Sequence, residues 1–238
     1  MRVLHLPKRG SAFLLDGKNH DFLVTAQHVV NDLPQSGSLE ILDNKLGKPF
    51  NAEYSKLIKG ARAQFGATFL PDLAVLVMKN GVLGLSSFPL LQGNEIELGQ
   101  EVFFLGYPLS FLDYGSTVLP TGEVRAPLLK RAVFSGAIHR DGVGMLLFDG
   151  FNNSGFSGGP IFVKGKDGKR GIFGIVSGYF HDTPRTVFPL RDSGSPDSRK
   201  VLSDQPVGAV VDLNSGFMLG FSFAEVKKLI TRFEFETK

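Results

Sequence analysis

Short apolar segments recur along the chain at close intervals: SAFLLD, DFLVTAQHVV, LAVLVM, EVFFLGYP, GMLLFDG, GPIFV, GIFGIVSGYF, VGAVVDL and FMLGFSF. They are strand-sized and rich in Val, Phe, Leu and Ile, and they are bounded by Gly, Pro, Asn or Asp, residues that turn or stop a strand. Such spacing predicts an all-β protein, a sandwich or a barrel. Helical periodicity is convincing only at the C-terminus. There Ser222 and Glu225 form a capping-box pattern, and Val226, Leu229, Ile230 and Phe233 fall on one face. That stripe predicts a helix docked on the body of the protein.

The segments between differ in kind. FPLLQGNEIELG (88–99) has no clear period and reads as a connector between two β units. KGKDGKR (164–170) reads as a solvated hairpin turn around Asp167-Gly168. HDTPRTVFPLRDSGSPDSRKVLSDQP (181–206) is long, polar and rich in Pro, Ser and Asp. A loop of that length without its own structure is usually functional or disordered.

Composition narrows the class. At 238 residues, 42% hydrophobic and 21% charged, the chain has the make-up of a soluble globular protein. Its net charge of +3 is spread over dispersed basic residues, so no stripe or arm points to nucleic acid. Cysteine is absent, which excludes disulfides, thiolate catalysis and Cys-ligated metal and is compatible with a reducing compartment. Pro7-Lys8-Arg9-Gly10 interrupts the first apolar run, and no run is long enough to span a bilayer. A cytoplasmic protein, away from membranes, is the expectation.

Three blocks carry chemistry. In Gly155-Phe156-Ser157-Gly158-Gly159-Pro160 a hydroxyl stands among glycines, which permit unusual backbone and close approach. A surface turn would use the same residues, so the block is ambiguous alone. A serine becomes a nucleophile when an oriented His takes its proton, and that His needs an acceptor for its other ring nitrogen. Of five histidines, only His28 follows directly on an apolar strand, in FLVTAQHVV. Asp72, in FLPDLAVLVM, heads another apolar strand after a proline, poised to be half-buried. Taken singly, His28 reads equally as a core histidine and Asp72 as a turn residue.

Together, TAQHVV, DLAVL and GFSGGP in the order His, Asp, Ser resemble the trypsin-like (chymotrypsin-fold) serine peptidases, especially the disulfide-free bacterial and HtrA-like branch. The likeness runs from GSAFLL through the C-terminal helix. It implies two antiparallel six-stranded β-barrels: residues 1–90 with His28 and Asp72, and residues 96–222 with Ser157 and the substrate pocket. A helix over 223–236 would pack on both. It further implies that Ser157 attacks a peptide carbonyl, His28 serves as base and then acid, and Asp72 orients the imidazole. The N–H groups of Gly155 and Ser157 would form the oxyanion hole. The substrate would lie against Phe151, Asn152, Ser177, Gly178 and Tyr179, the last three on an edge strand to which it adds as a further strand. Val176 and roughly Gly216–Gly220 would complete the walls. No cofactor or metal is called for, and the expected partner is a polypeptide substrate.

The sequence departs from that family in instructive places. Phe156 stands where the family usually has Asn or Asp, so activation by pairing with a newly cut N-terminus is not expected. Phe151 replaces the acidic residue that selects Arg or Lys in trypsin, and no carboxylate falls among the expected wall positions. An uncharged residue, small or aliphatic, is therefore expected on the acyl side of the cut bond. The HtrA-like enzymes carry PDZ domains that this chain, ending at its helix, is not expected to have. The 181–206 loop follows the expected edge strand and could overhang the cleft. Other readings stay open. One is a protease-like scaffold that binds without catalysis, a possibility that Phe156 and the long loop keep alive. Gly155–Gly159 also fits the G-x-S-x-G elbow of α/β-hydrolases, although a strand, PIFV, follows the serine and only His181 lies downstream. A nucleic-acid-binding barrel rests only on mild basicity and scattered Phe.

Overall fold

The computed structural model describes residues 3–6, 10–17, 19–42, 49–60, 71–79, 96–108, 117–119, 122–124, 127–140, 142–165, 168–181, 185–187, 209–211 and 214–236. In chain order the strands are β1 (Val3–Leu6), β2 (Gly10–Asp16), β3 (Asp21–Thr25), β4 (Gly37–Leu42), β5 (Pro49–Lys59), β6 (Ala74–Met78), β7 (Glu101–Gly106) and β8 (Thr117–Leu119). Then come β9 (Gly122–Val124), β10 (Leu128–Arg140), β11 (Val143–Asp149), β12 (Pro160–Lys164), β13 (Arg170–His181), β14 (Arg185–Val187), β15 (Ala209–Val211) and β16 (Asn214–Ser222), followed by helix α1 (Phe223–Glu236).

Twelve of these strands form two antiparallel six-stranded barrels, ordered β1-β2-β3-β6-β5-β4 and β10-β11-β16-β13-β12-β7. The architecture is chymotrypsin-like. The second barrel is closed by a continuous ladder from Leu128↔Gly106 to Val133↔Glu101. The first curls around but meets itself at one position, His5↔Leu42. β8 pairs with β9 and β14 with β15, outside the barrels.

Burial explains which strands the apolar pattern announced. β2, β3 and β6 are buried on both faces. Ala12, Leu14, Leu23, Ala74 and Leu76 fill the first barrel, while Phe13, Leu15, Phe22, Val24, Val75 and Val77 face outward. Those outward residues meet Phe162, Ile172, Ile175 and Phe221 of the second barrel and Phe223, Val226, Leu229 and Phe233 of α1. A strand buried on both faces reads as a continuous apolar run. This shared layer also fixes how the barrels sit against each other, with α1 docked on both. β4, β5 and β10 alternate instead: in β5, Ala52, Tyr54 and Leu57 are buried while Asn51, Glu53 and Ser55 face out. They gave no apolar run, and the pattern missed them.

Three expectations are corrected. DFLVTAQHVV is a strand only to Thr25, and Gln27–Val30 form a 3-10 turn. VGAVVDL contributes β15 to the small β14-β15 sheet, not to a barrel. The 181–206 segment is not without structure, since Arg185–Val187 is a strand, while 188–208 and any overhang of the cleft lie outside the described residues. Of the 88–99 connector, only 96–99 are described. The 164–170 hairpin joins β12 to β13, with Gly168 at φ 80°, while Asp167 lies outside the described residues. Among the described residues, no helix is long and apolar enough to cross a membrane.

Candidate active site

His28 owes its position to its neighbours. Val29 and Val30 are buried in the first barrel and pull the 3-10 turn onto it, leaving the imidazole outside and 49% exposed. The segment Pro71-Asp72-Leu73 runs alongside, anchored by buried Leu73, and the Asp72 carbonyl accepts from the Gln27 N–H at 3.2 Å. The Asp72 carboxylate collects three donors. The His28 N–H reaches Oδ1 at 2.9 Å, His28 Nδ1 lies 2.7 Å from Oδ2, and the Ser177 hydroxyl donates to Oδ2 at 2.7 Å. A carboxylate at that distance places the ring proton on Nδ1, so Nε2 is the free basic nitrogen. The side chain of Asp72 is 27% exposed.

Ser157 sits in the turn that leads into β12. Asn153 to Phe156 form a tight turn, with the Phe156 N–H donating to the Asn153 carbonyl at 3.2 Å and Gly155 at φ 101°. A positive φ at the third position is the mark of a type II turn and favours glycine there. Gly158, at φ 86°, lies so close to β2 that a Cβ would come within 2.0 Å of the Ser11 carbonyl oxygen. Among the described residues no hydrogen bond uses the N–H of Gly155 or of Ser157.

The serine hydroxyl does not bond to His28. It donates to the Ser177 carbonyl at 2.9 Å, while the Ser177 side chain holds Asp72. One residue of β13 thus links the serine to the carboxylate.

Phe156 has turned inward and is 1% exposed. Its ring meets Phe104 edge-on at 5.2 Å and rests on Gly106, where a Cβ would come within 2.6 Å of the ring. Burial of a ring thus anchors the serine turn where an ion pair could not. Lys130 covers the same spot, its Nζ 5.6 Å from the Phe156 ring centroid and donating to Asn153 Oδ1 at 2.7 Å. Partial burial lowers the Lys130 pKa from its ordinary value.

The structure draws the expected substrate-binding positions together around β13. Asn152 is buried and donates through Nδ2 to the Gly178 carbonyl at 3.0 Å, and its own carbonyl accepts from Asn214 Nδ2 at 2.6 Å. The Gly150 N–H donates to the Gly216 carbonyl at 2.8 Å. Phe151, 61% exposed, lies against Gly216. Ser177 falls at a bulge in the β13–β16 ladder, and Gly178 and Tyr179 pair with Leu219 and Met218. The carbonyls of Ser177 and Gly178 each accept one side-chain donor, Ser157 Oγ and Asn152 Nδ2 respectively. Among the described residues no group of side chains could hold a metal ion.

Two contacts were not foreseen. The Ser177 hydroxyl on Asp72 joins residues 105 positions apart. Ser11, a hydroxyl inside an otherwise apolar buried strand, contacts the serine turn. A polar residue in such a run was the available signal for Ser11.

No curated protein matches the chain by sequence. Among solved structures, Rv3671c from M. tuberculosis, in an inactive serine-to-alanine form, aligns over 97% of this chain and 84% of its own at 15% identity and TM-score 0.50. The HtrA-type protease AlgW, a serine-to-alanine form with a decapeptide, aligns over 97% of this chain and 52% of its own at 15% identity and TM-score 0.54. This chain therefore spans about half the length of that relative, and both likenesses are of fold. The trypsin-like peptidase domain family model matches residues 10–169, two thirds of the chain, from β2 past the serine turn. With that match on top of the two barrels, the chain belongs to the trypsin-like peptidase family.

Proposed function

We propose that the protein is a serine endopeptidase in which His28, Asp72 and Ser157 act as the catalytic triad. The observation that carries this reading is the Asp72 carboxylate, which fixes both the main chain and the ring of His28 and is itself held by Ser177. Nε2 of His28 takes the Ser157 proton as Oγ bonds to the substrate carbonyl carbon. The carbonyl electrons move onto oxygen, facing the N–H groups of Gly155 and Ser157. As the tetrahedral centre collapses, the C–N bond breaks and His28 gives its proton to the departing amine. Water, deprotonated by His28, then hydrolyses the acyl-enzyme. The residue on the acyl side of the bond is uncharged, because Phe151, Asn152 and the Gly216–Gly220 wall offer no carboxylate.

The Ser157–Ser177 hydrogen bond favours a second reading, a site that is latent at rest or a scaffold that binds without cutting. Its strength decides how much weight that deserves. A neutral hydrogen bond contributes about 1 kcal/mol net, less than the 1.4 kcal/mol of a tenfold population shift. It is a preference of the resting state, not a lock. A fluorophosphonate probe separates the readings: the parent is labelled, as read by intact mass, and Ser157→Ala and His28→Ala are not. A folded parent that stays unlabelled sinks the peptidase reading. On a fluorogenic peptide panel uncharged residues are preferred, and a win for Arg or Lys substrates would refute the pocket assignment.

A further inference from the structure

Ser11 lies in β2 of the first barrel, wholly buried, yet its hydroxyl and its N–H bond to the second barrel. Its hydroxyl donates to the Gly155 carbonyl at 2.7 Å and accepts from the Tyr107 N–H, just past β7, at 2.8 Å. Its own N–H donates to the Ser157 carbonyl at 2.8 Å, and its carbonyl accepts from the buried Thr25 hydroxyl at 2.8 Å. One residue thus grips the serine turn at two carbonyls, on either side of Phe156.

The Gly155 bond matters most. Glycine has no side chain to hold its backbone, and it visits positive and negative φ with similar ease. A Gly155 N–H that must face a developing negative charge therefore needs a restraint from elsewhere. The turn bond from Phe156 supplies one, and the Ser11 hydroxyl, closing on the carbonyl of Gly155 itself, supplies another. Because that hydroxyl also receives the Tyr107 N–H, its proton is committed toward Gly155.

We propose that Ser11 is a positioning residue that holds the Gly155 peptide so that its N–H faces the carbonyl oxygen of the substrate in the transition state. This rests on the peptidase reading above. A merely structural serine would affect stability alone, whereas a positioning one affects the transition state more than substrate binding. Removing an oxyanion donor outright costs roughly 100- to 1000-fold in kcat, so misorienting one by loss of a restraint is expected to cost about 10- to 100-fold.

The experiment compares Ser11→Ala and Ser11→Cys with Tyr54→Phe. Tyr54 is a buried residue of the first barrel whose hydroxyl donates to the Pro34 carbonyl at 3.0 Å, outside the site. Folding is checked by circular dichroism, and kcat and KM are measured on one peptide substrate. Ser11→Ala is expected to lower kcat by about 10- to 100-fold with KM within about threefold. Ser11→Cys, a weaker donor of similar size, falls between it and the parent, and Tyr54→Phe lowers the melting temperature without lowering kcat. If Ser11→Ala does not fold, Ser11→Cys carries the same test. An unchanged kcat in a folded Ser11 variant, or an equal loss in Tyr54→Phe, overturns the role of Ser11. A parent that neither cuts peptides nor takes the fluorophosphonate overturns the peptidase reading and the Ser11 role with it.

Discussion

Replacing Phe156 by Ala tests whether a buried ring holds the serine turn. The ring is 1% exposed, packs edge-on against Phe104 at 5.2 Å, and belongs to the cluster of Val102, Phe104, Phe148 and Ile161 inside the second barrel. Truncating a fully buried Phe to Ala costs about 3–5 kcal/mol, and roughly 1 kcal/mol of that comes from the edge-on pair. In a chain of this size each kcal/mol moves the melting temperature by about 2–4 °C, so a drop of roughly 6–20 °C is expected from these two magnitudes. The loss exceeds the ~1 kcal/mol of any neutral hydrogen bond in the turn, so the ring, not the turn bonds, dominates the anchoring. Calorimetry of Phe156→Ala and Phe156→Leu, with kcat measured well below both melting temperatures, reads stability and turn geometry separately. Leu keeps most of the buried volume and should restore both in large part. A Phe156→Ala protein melting within about 2 °C of the parent would refute the anchoring argument, since that shift corresponds to less than ~1 kcal/mol.

Gly158→Ala meets both a positive φ of 86° and a Cβ within 2.0 Å of the Ser11 carbonyl oxygen. It should lose at least about 3 kcal/mol in urea denaturation, and a loss below 1 kcal/mol would mean that the barrels part easily at this contact. Ser177→Ala removes one of the three donors to Asp72 but leaves the carbonyl that Ser157 uses. It should lower kcat by about 3- to 10-fold, the kinetic equivalent of ~1 kcal/mol, and a full-rate variant would show that the other two donors suffice. Lys130 gives a pH dependence. Burial lowers its folded pKa below the ordinary 10.5, so between those two values the unfolded chain holds a proton that the folded one has released. Stability from this group therefore rises with pH through that window and is lost again as pH falls through the folded pKa. Urea midpoints measured from neutral pH to about 10.5 should show the rise in the parent and a flatter profile in Lys130→Met. Identical slopes would remove Lys130 from the account.

Much of this protein can be read along the chain. The blocks around His28, Asp72 and Ser157 are ambiguous singly, and it is their combination and order along the chain that is legible. The continuous runs of β2, β3 and β6 are legible for a different reason: both faces are buried, so nearly every position is apolar. The structure brings His28 and Asp72 to 2.7 Å across 44 residues of chain. β4, β5 and β10 escaped notice because one face of each meets solvent and carries polar residues.

What the sequence by itself could not determine is how the serine turn is held. Ser11 reaches Gly155 across 144 residues, Ser177 reaches Asp72 across 105, and Phe156 finds its slot over Gly106 only once β7 has been paired. The local context of these residues does not disclose the partners they reach. Their roles come from two barrels meeting through the apolar layer of Phe13, Val75, Phe162 and α1, which brings the rim of one against the serine turn of the other. Hydrogen bonds and van der Waals contacts act over a few ångströms. Only the tertiary structure can decide which distant hydroxyl comes within that range, and so which conformation the glycine of the turn is made to keep.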